Sequence, residues 1–239
     1  MTLKETIVKV MEKYSLFFDE DIIIKLQNYI QMLIEYPVNL TSVKNFEKAF
    51  ETHVIDSLIP TVKNSFLKEE KNCVDVGTGG GIPGIVWAIC YPKSNFYLVE
   101  SIAKKTKALN IFKEKLELKN VKIFNNRVED FALDYKNFFD IATSKAVARA
   151  DIALEYIAPL VKKDGYVTLF KGPLFFNLED SYAVKSEKIL RIKKIDILKY
   201  YIEEEEKERY FITYLKTENT KKDFPREIGA AKKNPLGGK

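Results

Sequence analysis

Two cysteines, one histidine and one tryptophan are all that the 239-residue sequence contains of those residue types. Cys73 and Cys90 lie in or beside apolar runs and form neither a C-x-x-C pair nor a Cys/His cluster. They therefore fit reduced core thiols, and no metal site is expected. Long hydrophobic runs are missing as well. The N-terminal stretch MTLKETIVKVMEKYSLFFDEDIIIKL breaks every apolar run with charge, and no later segment has the roughly 18 uninterrupted apolar residues of a membrane span. A signal-peptide core and a membrane anchor are excluded on this pattern, so the expected location is the cytoplasm. Internal repeats and low-complexity linkers are also absent.

What remains is a soluble, core-forming composition, 46% hydrophobic and 31% charged. That is enough for one large domain with a smaller appended one. The formal net charge of +5 is unevenly spread. Residues 103–122 carry seven lysines against two glutamates, and residues 221–239 carry six Lys or Arg against one Asp and one Glu. The acidic run EEEE at 203–206 offsets them. Two basic segments can form a phosphate-binding surface, or simply solvated faces.

Residues 3–36 show apolar positions at helical spacing in two stretches, the second ended by Pro37. A helix is expected over 45–58, stopped near Pro60. From residue 72 short β-rich runs alternate with longer helical ones: CVDVG, FYLVE, VKIFN, FDIATSKAV and YVTLFKG each precede a helical or turn segment. Such alternation predicts an α/β fold with a mostly parallel, Rossmann-like sheet and helices on both faces. RIKKIDILKY and RYFITYLKT, joined only by IEEEEKE, read as a terminal antiparallel hairpin. The expected organisation is an N-terminal helical cap (1–68), an α/β domain (69–220) and a basic tail (221–239), with only the final 15 or so residues loosely structured.

The stretch VDVGTGGGIPG contains a literal G-x-G-x-x-G from Gly79 to Gly84, the usual dinucleotide fingerprint. In a dinucleotide site the pyrophosphate rests on free N–H groups opening the next helix. Pro83 occupies one of those positions and has no N–H. S-adenosylmethionine, a cofactor without phosphate, does not need it. Asp75 places a carboxylate at the strand end where that cofactor's positive end can lie. Gly77 and Gly79 permit close backbone approach. Glu100, closing FYLVE, is placed to accept hydrogen bonds from ribose hydroxyls, whichever adenosine-type ligand binds.

These residues, with NLTSVKNFEKAFETHVIDSL before them and VESIAKKTKAL, NRVEDF, TSKAVA, FKG and PREIGAAKKNPL behind, resemble the bacterial small-subunit rRNA methyltransferase G family, also called glucose-inhibited division protein B. The resemblance runs from about residue 39 to 236. It implies a class I S-adenosylmethionine-dependent methyltransferase with a seven-stranded sheet ending in an antiparallel hairpin, acting on N7 of one guanine in the 16S rRNA loop near the decoding site. By motif, Gly77 and Ile82 contact the cofactor and Val128 and Glu129 border its adenine. Where the family has Ser-Arg-Ala, this chain has Ser144, Lys145 and Ala146. An ammonium at Lys145 cannot make a guanidinium's planar two-pronged contact, though a single-point contact survives the change.

Guanine N7 has an in-plane lone pair and needs no base to attack a sulfonium-bound methyl, so catalysis rests on alignment. The sequence has no evident acid/base pair or triad. A structural or RNA-positioning role is favoured for His53. Lys104, Lys105, Lys107, Lys171, Arg226, Lys232 and Lys233 are the expected RNA-binding residues, on 16S rRNA, the small subunit or an assembly intermediate. The target base must be unstacked, with Phe170, Phe175 or Phe176 as candidates to stack on it. A monomer without an obligate protein partner is expected. The competing readings are an NAD-dependent oxidoreductase and a noncatalytic rRNA-binding assembly factor.

Overall fold

A computed structural model describes residues 3–64, 66–67, 69–203 and 207–238. The N-terminal third is helical. Helix α1 (Leu3–Lys13) is followed by α2 (Glu20–Glu35), which buries Ile23, Leu26, Tyr29, Ile30 and Leu33 along one stripe and ends just before Pro37. The Asn45 side chain caps α3 (Phe46–Ala49) by accepting from Lys48 N at 2.9 Å. The chain then runs through a π-helical turn at Phe50–Ile55 into α4 (Asp56–Asn64).

Pro60 does not stop this helix, contrary to the sequence expectation; it lies inside α4. A proline there leaves the carbonyl four residues earlier, that of Asp56, without its helical partner. The Tyr200 hydroxyl, 3.4 Å from that carbonyl and 2.6 Å from Asp56 Oδ1, faces the gap. A tertiary contact thus tolerates what local propensity forbids.

The sheet has seven strands: β1 (Asn72–Val76), β2 (Asn95–Val99), β3 (Val121–Phe124), β4 (Phe139–Lys145), β5 (Val161–Lys171), β6 (Ile192–Ile202) and β7 (Lys207–Lys216). Their order is β3-β2-β1-β4-β5-β7-β6, with β7 antiparallel to both β5 and β6. This is the α/β architecture and terminal hairpin read from the sequence. Residues 204–206 of the acidic run lie outside the described residues.

Helices α5 (Gly84–Cys90) and α6 (Ala103–Lys115) cover one face, and α7 (Val128–Asp134), α8 (Ala150–Ile157) and α10 (Asp180–Leu190) the other; α9 (Phe175–Leu178) is a single turn before α10. The N-terminal helices share the first face's core, which runs from Ile7 and Leu33 through Trp87 to Phe211. Cys73 and Cys90 are buried free thiols in the same core. Because side chains alternate along a strand, Cys73 and Asp75 of β1, Ile141 and Lys145 of β4, and Phe170 of β5 point towards that helical side. Two sequence expectations are corrected here. NRVEDF opens α7 rather than a short turn, with Glu129 and Asp130 in the first turn where a helix dipole favours acids. The tail is not loose. It carries α11 (Ala230–Lys233) and is tied down by Gly237 N on Asp151 Oδ2 and by Arg226 on Glu155. No described helix is long and apolar enough to cross a membrane.

Candidate active site

The strand order reverses between β1 and β4, which opens a crevice at the carboxyl ends of those strands. The glycine loop after β1 forms its floor. Gly77, Gly79 and Gly81 take φ values of +70°, +60° and +101°, the left-handed region that glycine enters without penalty. The loop's donors are already used. Gly77 N and Thr78 N donate to Val99 O, Gly79 N to Glu100 Oε2, Gly81 N and Ile82 N to Thr78 O, and Gly84 N to Asp75 Oδ2. With Pro83 contributing no N–H, these donors form no free row on which a pyrophosphate can rest. The literal dinucleotide fingerprint lacks the chemistry of a dinucleotide site.

Asp75 sits beneath the loop. It is 3% exposed, and its Oδ2 accepts from Thr78 Oγ1 at 2.6 Å and Gly84 N at 3.0 Å, while its Oδ1 is buried without a hydrogen-bond partner. Its alternation parity aims it towards α5, where it braces the loop. Burial pushes its carboxyl up to about 7, against the opposing pull of the Thr78 and Gly84 hydrogen bonds.

Two cavities open side by side above the sheet and share Ala146 and Val147. The first, about 310 Å³, is bounded by Gly77, Glu100, Ile102, Val128, Glu129 and Tyr156. Gly77 has no room for a side chain, since a Cβ there would come within 2.5 Å of Val147 Cγ2. Glu100 spends one lone pair of each oxygen on Gly79 N and Ile102 N, at 3.1 and 2.9 Å, and keeps others for hydroxyl donors. Glu129 Oε1 accepts from Gly229 N at 3.1 Å, whereas Glu129 Oε2 and the Tyr156 hydroxyl are buried without a hydrogen-bond partner. Buried polar atoms without partners are rare and mark a place that a polar ligand completes. An adenosine with its ribose at Glu100 fits these donors and acceptors.

The second cavity, about 480 Å³, is lined by charged side chains from distant segments, among them His53, Asp56, Lys145, Lys171 and Glu179. Lys145, expected at the cofactor, points to the helical side instead. It meets Asp56 Oδ2 at 2.5 Å, Thr52 O at 3.3 Å and the Phe170 ring at 5.5 Å. Lys171, one residue out of phase with Phe170, points to the opposite face and meets Glu179 Oε2 at 2.6 Å. His53 bonds Thr41 through Nε2 at 2.7 Å, and burial together with the Lys145 ammonium lowers its imidazole to about 4. It is neutral at pH 7, and its contacts hold the helix that carries Asp56.

The basic residues separate into two groups. Lys104, Lys107, Lys232 and Lys233 are exposed; Lys105 is half-buried, and Lys105 and Lys232 border the first cavity. Lys171 and Arg226, expected on RNA, are committed internally. Arg226 makes two 2.5 Å contacts to Glu155 through Nε and Nη2, which leaves Nη1 for a further acceptor, and Lys171 is paired with Glu179. Phe170 and Phe175 are core side chains, while Phe176 is exposed and packs edge-on against Tyr210. Ile82 packs against the core of the helical face, and a Cβ at Gly79 would meet only Gly77 O, at 4.0 Å. Sequence reading missed Asp56, Tyr156 and Glu179. A signal existed for one region: ADIALEYI buries Asp151 and Glu155 in an apolar helix, and buried charges imply partners.

A seven-stranded sheet of this order, with its antiparallel β7, glycine loop and acidic residue after β2, defines a class I S-adenosylmethionine-dependent methyltransferase. Among solved structures, the fold is similar to M. jannaschii TYW2 in complex with AdoMet, with a TM-score of 0.53, 16% identity and coverage of 67% of this chain and 76% of that one. The sequence pattern of the family described as rRNA small subunit methyltransferase G (GidB) matches residues 22–199. Ribosomal RNA small subunit methyltransferase G of Petrotoga mobilis is 48% identical over 89% of this chain and 95% of its own length. That of Thermotoga maritima is 31% identical over 99% and 97%. The chain belongs to the rRNA small subunit methyltransferase G family.

Proposed function

We propose that the chain transfers the methyl group of S-adenosylmethionine to N7 of one guanine in the 16S rRNA loop near the decoding site, in the cytoplasm. The observation that carries this reading is the pair of cavities meeting at Ala146 and Val147. One suits an adenosine-bearing donor, and the other suits a base.

The bound cofactor supplies a methyl group on a positively charged sulfur. The protein's own residues do the rest. Glu100 would accept from the ribose hydroxyls, Ile102 and Val128 would border the adenine, and Gly77 would let the backbone approach the ligand. In the second cavity the Lys145 ammonium faces the guanine's carbonyl oxygen, and the free Oε1 of Glu179 accepts from its N1 and amino hydrogens. Both are fixed beforehand, by Asp56 and by Ala150 N with Lys171 respectively. N7 carries its own lone pair, so no residue has to remove a proton, and rate comes from holding nucleophile and methyl in line. Lys104, Lys107, Lys232 and Lys233 bind phosphates around the crevice. In this reading residues 1–68 and 221–239 flank a catalytic unit of residues 69–220.

The test is transfer of a labelled methyl group to 16S rRNA, offered free and in small subunits lacking the modification, with the product mapped by the strand scission that 7-methylguanine permits. One cleavage in that loop is the expected result. Transfer to another position, or none with cofactor bound, overturns the assignment of the acceptor.

A further inference from the structure

The C-terminal tail is anchored at more points than a loose end needs, and its anchors converge on the first cavity. One helix does most of this. Asp151 and Glu155, four residues apart on α8, share a face. Asp151 Oδ2 accepts from Gly237 N at 3.1 Å, and both oxygens of Glu155 take the Arg226 guanidinium. Arg149, just before α8, binds Asp151 and also Gly238 O. Tyr156, which follows Glu155 on α8, also bounds that cavity, and its hydroxyl lies buried without a hydrogen-bond partner. Across from it, the tail's Gly229, at φ +81°, donates its N–H to Glu129 Oε1. Glu129 Oε2 is left with only Arg127 Nε, 3.8 Å away and too far for a hydrogen bond.

We propose that the tail is a working part of the cofactor site: by fixing one oxygen of Glu129 it aims the other, beside the Tyr156 hydroxyl, at the edge of the adenine ring. This rests on the cofactor reading above. An acceptor beside a donor complements adenine, whose amino group donates and whose N1 accepts. It mismatches hypoxanthine, whose O6 accepts and whose N1–H donates, so that O6 would face a carboxylate. Burial and the neighbouring Glu129 hold the Tyr156 phenol above its ordinary value, so it remains a donor at neutral pH. Gly229 and Arg226 are positioning residues in this arrangement and need not touch the ligand.

The test uses calorimetric binding of S-adenosylhomocysteine and S-inosylhomocysteine to the full chain, without RNA. The wild type is expected to prefer the adenosyl compound by at least about a hundredfold, the size of a mispaired buried polar group. Tyr156→Phe should lose about tenfold for the adenosyl compound and little for the inosyl one. Arg226→Met removes the tail's ion pair to α8 but strands Glu155, so the paired variant Arg226→Met with Glu155→Leu removes both charges and keeps the fold testable. It should bring the preference below about tenfold. An undiminished preference in a folded paired variant makes the tail a strap only and overturns the proposal. Equal wild-type binding of both compounds overturns it too. Binding of neither overturns the cofactor reading itself, a distinguishable failure.

Discussion

The two cavities that meet at Ala146 and Val147 are built in opposite ways. The first is framed by backbone: Gly77 at positive φ, a loop most of whose donors are internally satisfied, and a few polar atoms left over. The second is framed by side chains already neutralised in pairs, Lys145 with Asp56 and Lys171 with Glu179. A cofactor of fixed shape can be met by a rigid, pre-satisfied cradle. A base delivered by a large RNA needs charges held ready, and paired charges hold their geometry without a ligand. Substitutions should therefore act differently on the two sides.

The largest effect is expected at Gly77. Gly77→Val adds a side chain within 2.5 Å of Val147 and forces a non-glycine residue into φ +70°. Overpacking and left-handed strain should lower fold stability by about 4 kcal/mol, and the side chain, by filling the space that close approach needs, should abolish measurable S-adenosylmethionine binding in calorimetry. Gly79→Ala, where the nearest atom to the added Cβ is Gly77 O at 4.0 Å, should cost about 1 kcal/mol of fold stability and leave S-adenosylmethionine affinity within about fivefold. Equal losses at the two positions would mean that the cradle is not set by Val147.

Next comes the paired side. Lys145→Met leaves the buried Asp56 carboxylate with the Tyr200 hydroxyl as its remaining side-chain partner, and should destabilise the fold by about 3 kcal/mol in urea titration. Adding Asp56→Asn should restore most of that. Cofactor affinity should stay within about threefold in both variants, while rRNA methylation falls. A large loss of cofactor binding instead would return Lys145 to the first cavity. Smaller again is the surface effect. Replacing Lys104, Lys105 and Lys107 by Gln should weaken RNA binding about tenfold and lower the salt slope by about 2, whereas Lys171→Gln, an internal ion pair, should leave the slope unchanged.

The same contrast explains what the sequence disclosed. The sheet, the terminal hairpin and the glycine cradle come from contiguous residues with local periodicity, and they could be read directly. Lys145 could not be placed, because its direction depends on strand parity and on Asp56, 89 positions away in the chain. Pro60 was misread because the compensating hydroxyl comes from Tyr200. The tail was misread because its glycines and lysines look solvated until Asp151 and Glu155 are known to be buried beneath it. Tyr156 gives no sequence signal of its own; its unpartnered hydroxyl is a tertiary fact.

The smallest expected effect is a pH dependence in which the two sides oppose each other. Asp75 braces the first cavity and is raised to about 7 in the fold from an ordinary 3.8. Between those values the folded state keeps a proton that the unfolded chain has lost, so this stabilisation is full below about pH 4 and fades as pH rises through 7. His53 borders the second cavity and is lowered to about 4 from 6.5. There the unfolded chain binds the proton first, so stability is lost as pH falls from about 6.5 to 4. In the wild type the two trends partly cancel across pH 4 to 6.5. Asp75→Asn keeps an oxygen for Thr78 and Gly84 but cannot titrate, so its urea midpoint should rise with pH where the wild-type curve is flatter. Parallel curves for the two proteins would place the Asp75 carboxyl in its ordinary range, and its role would then be to accept the Thr78 and Gly84 hydrogen bonds as a permanent anion.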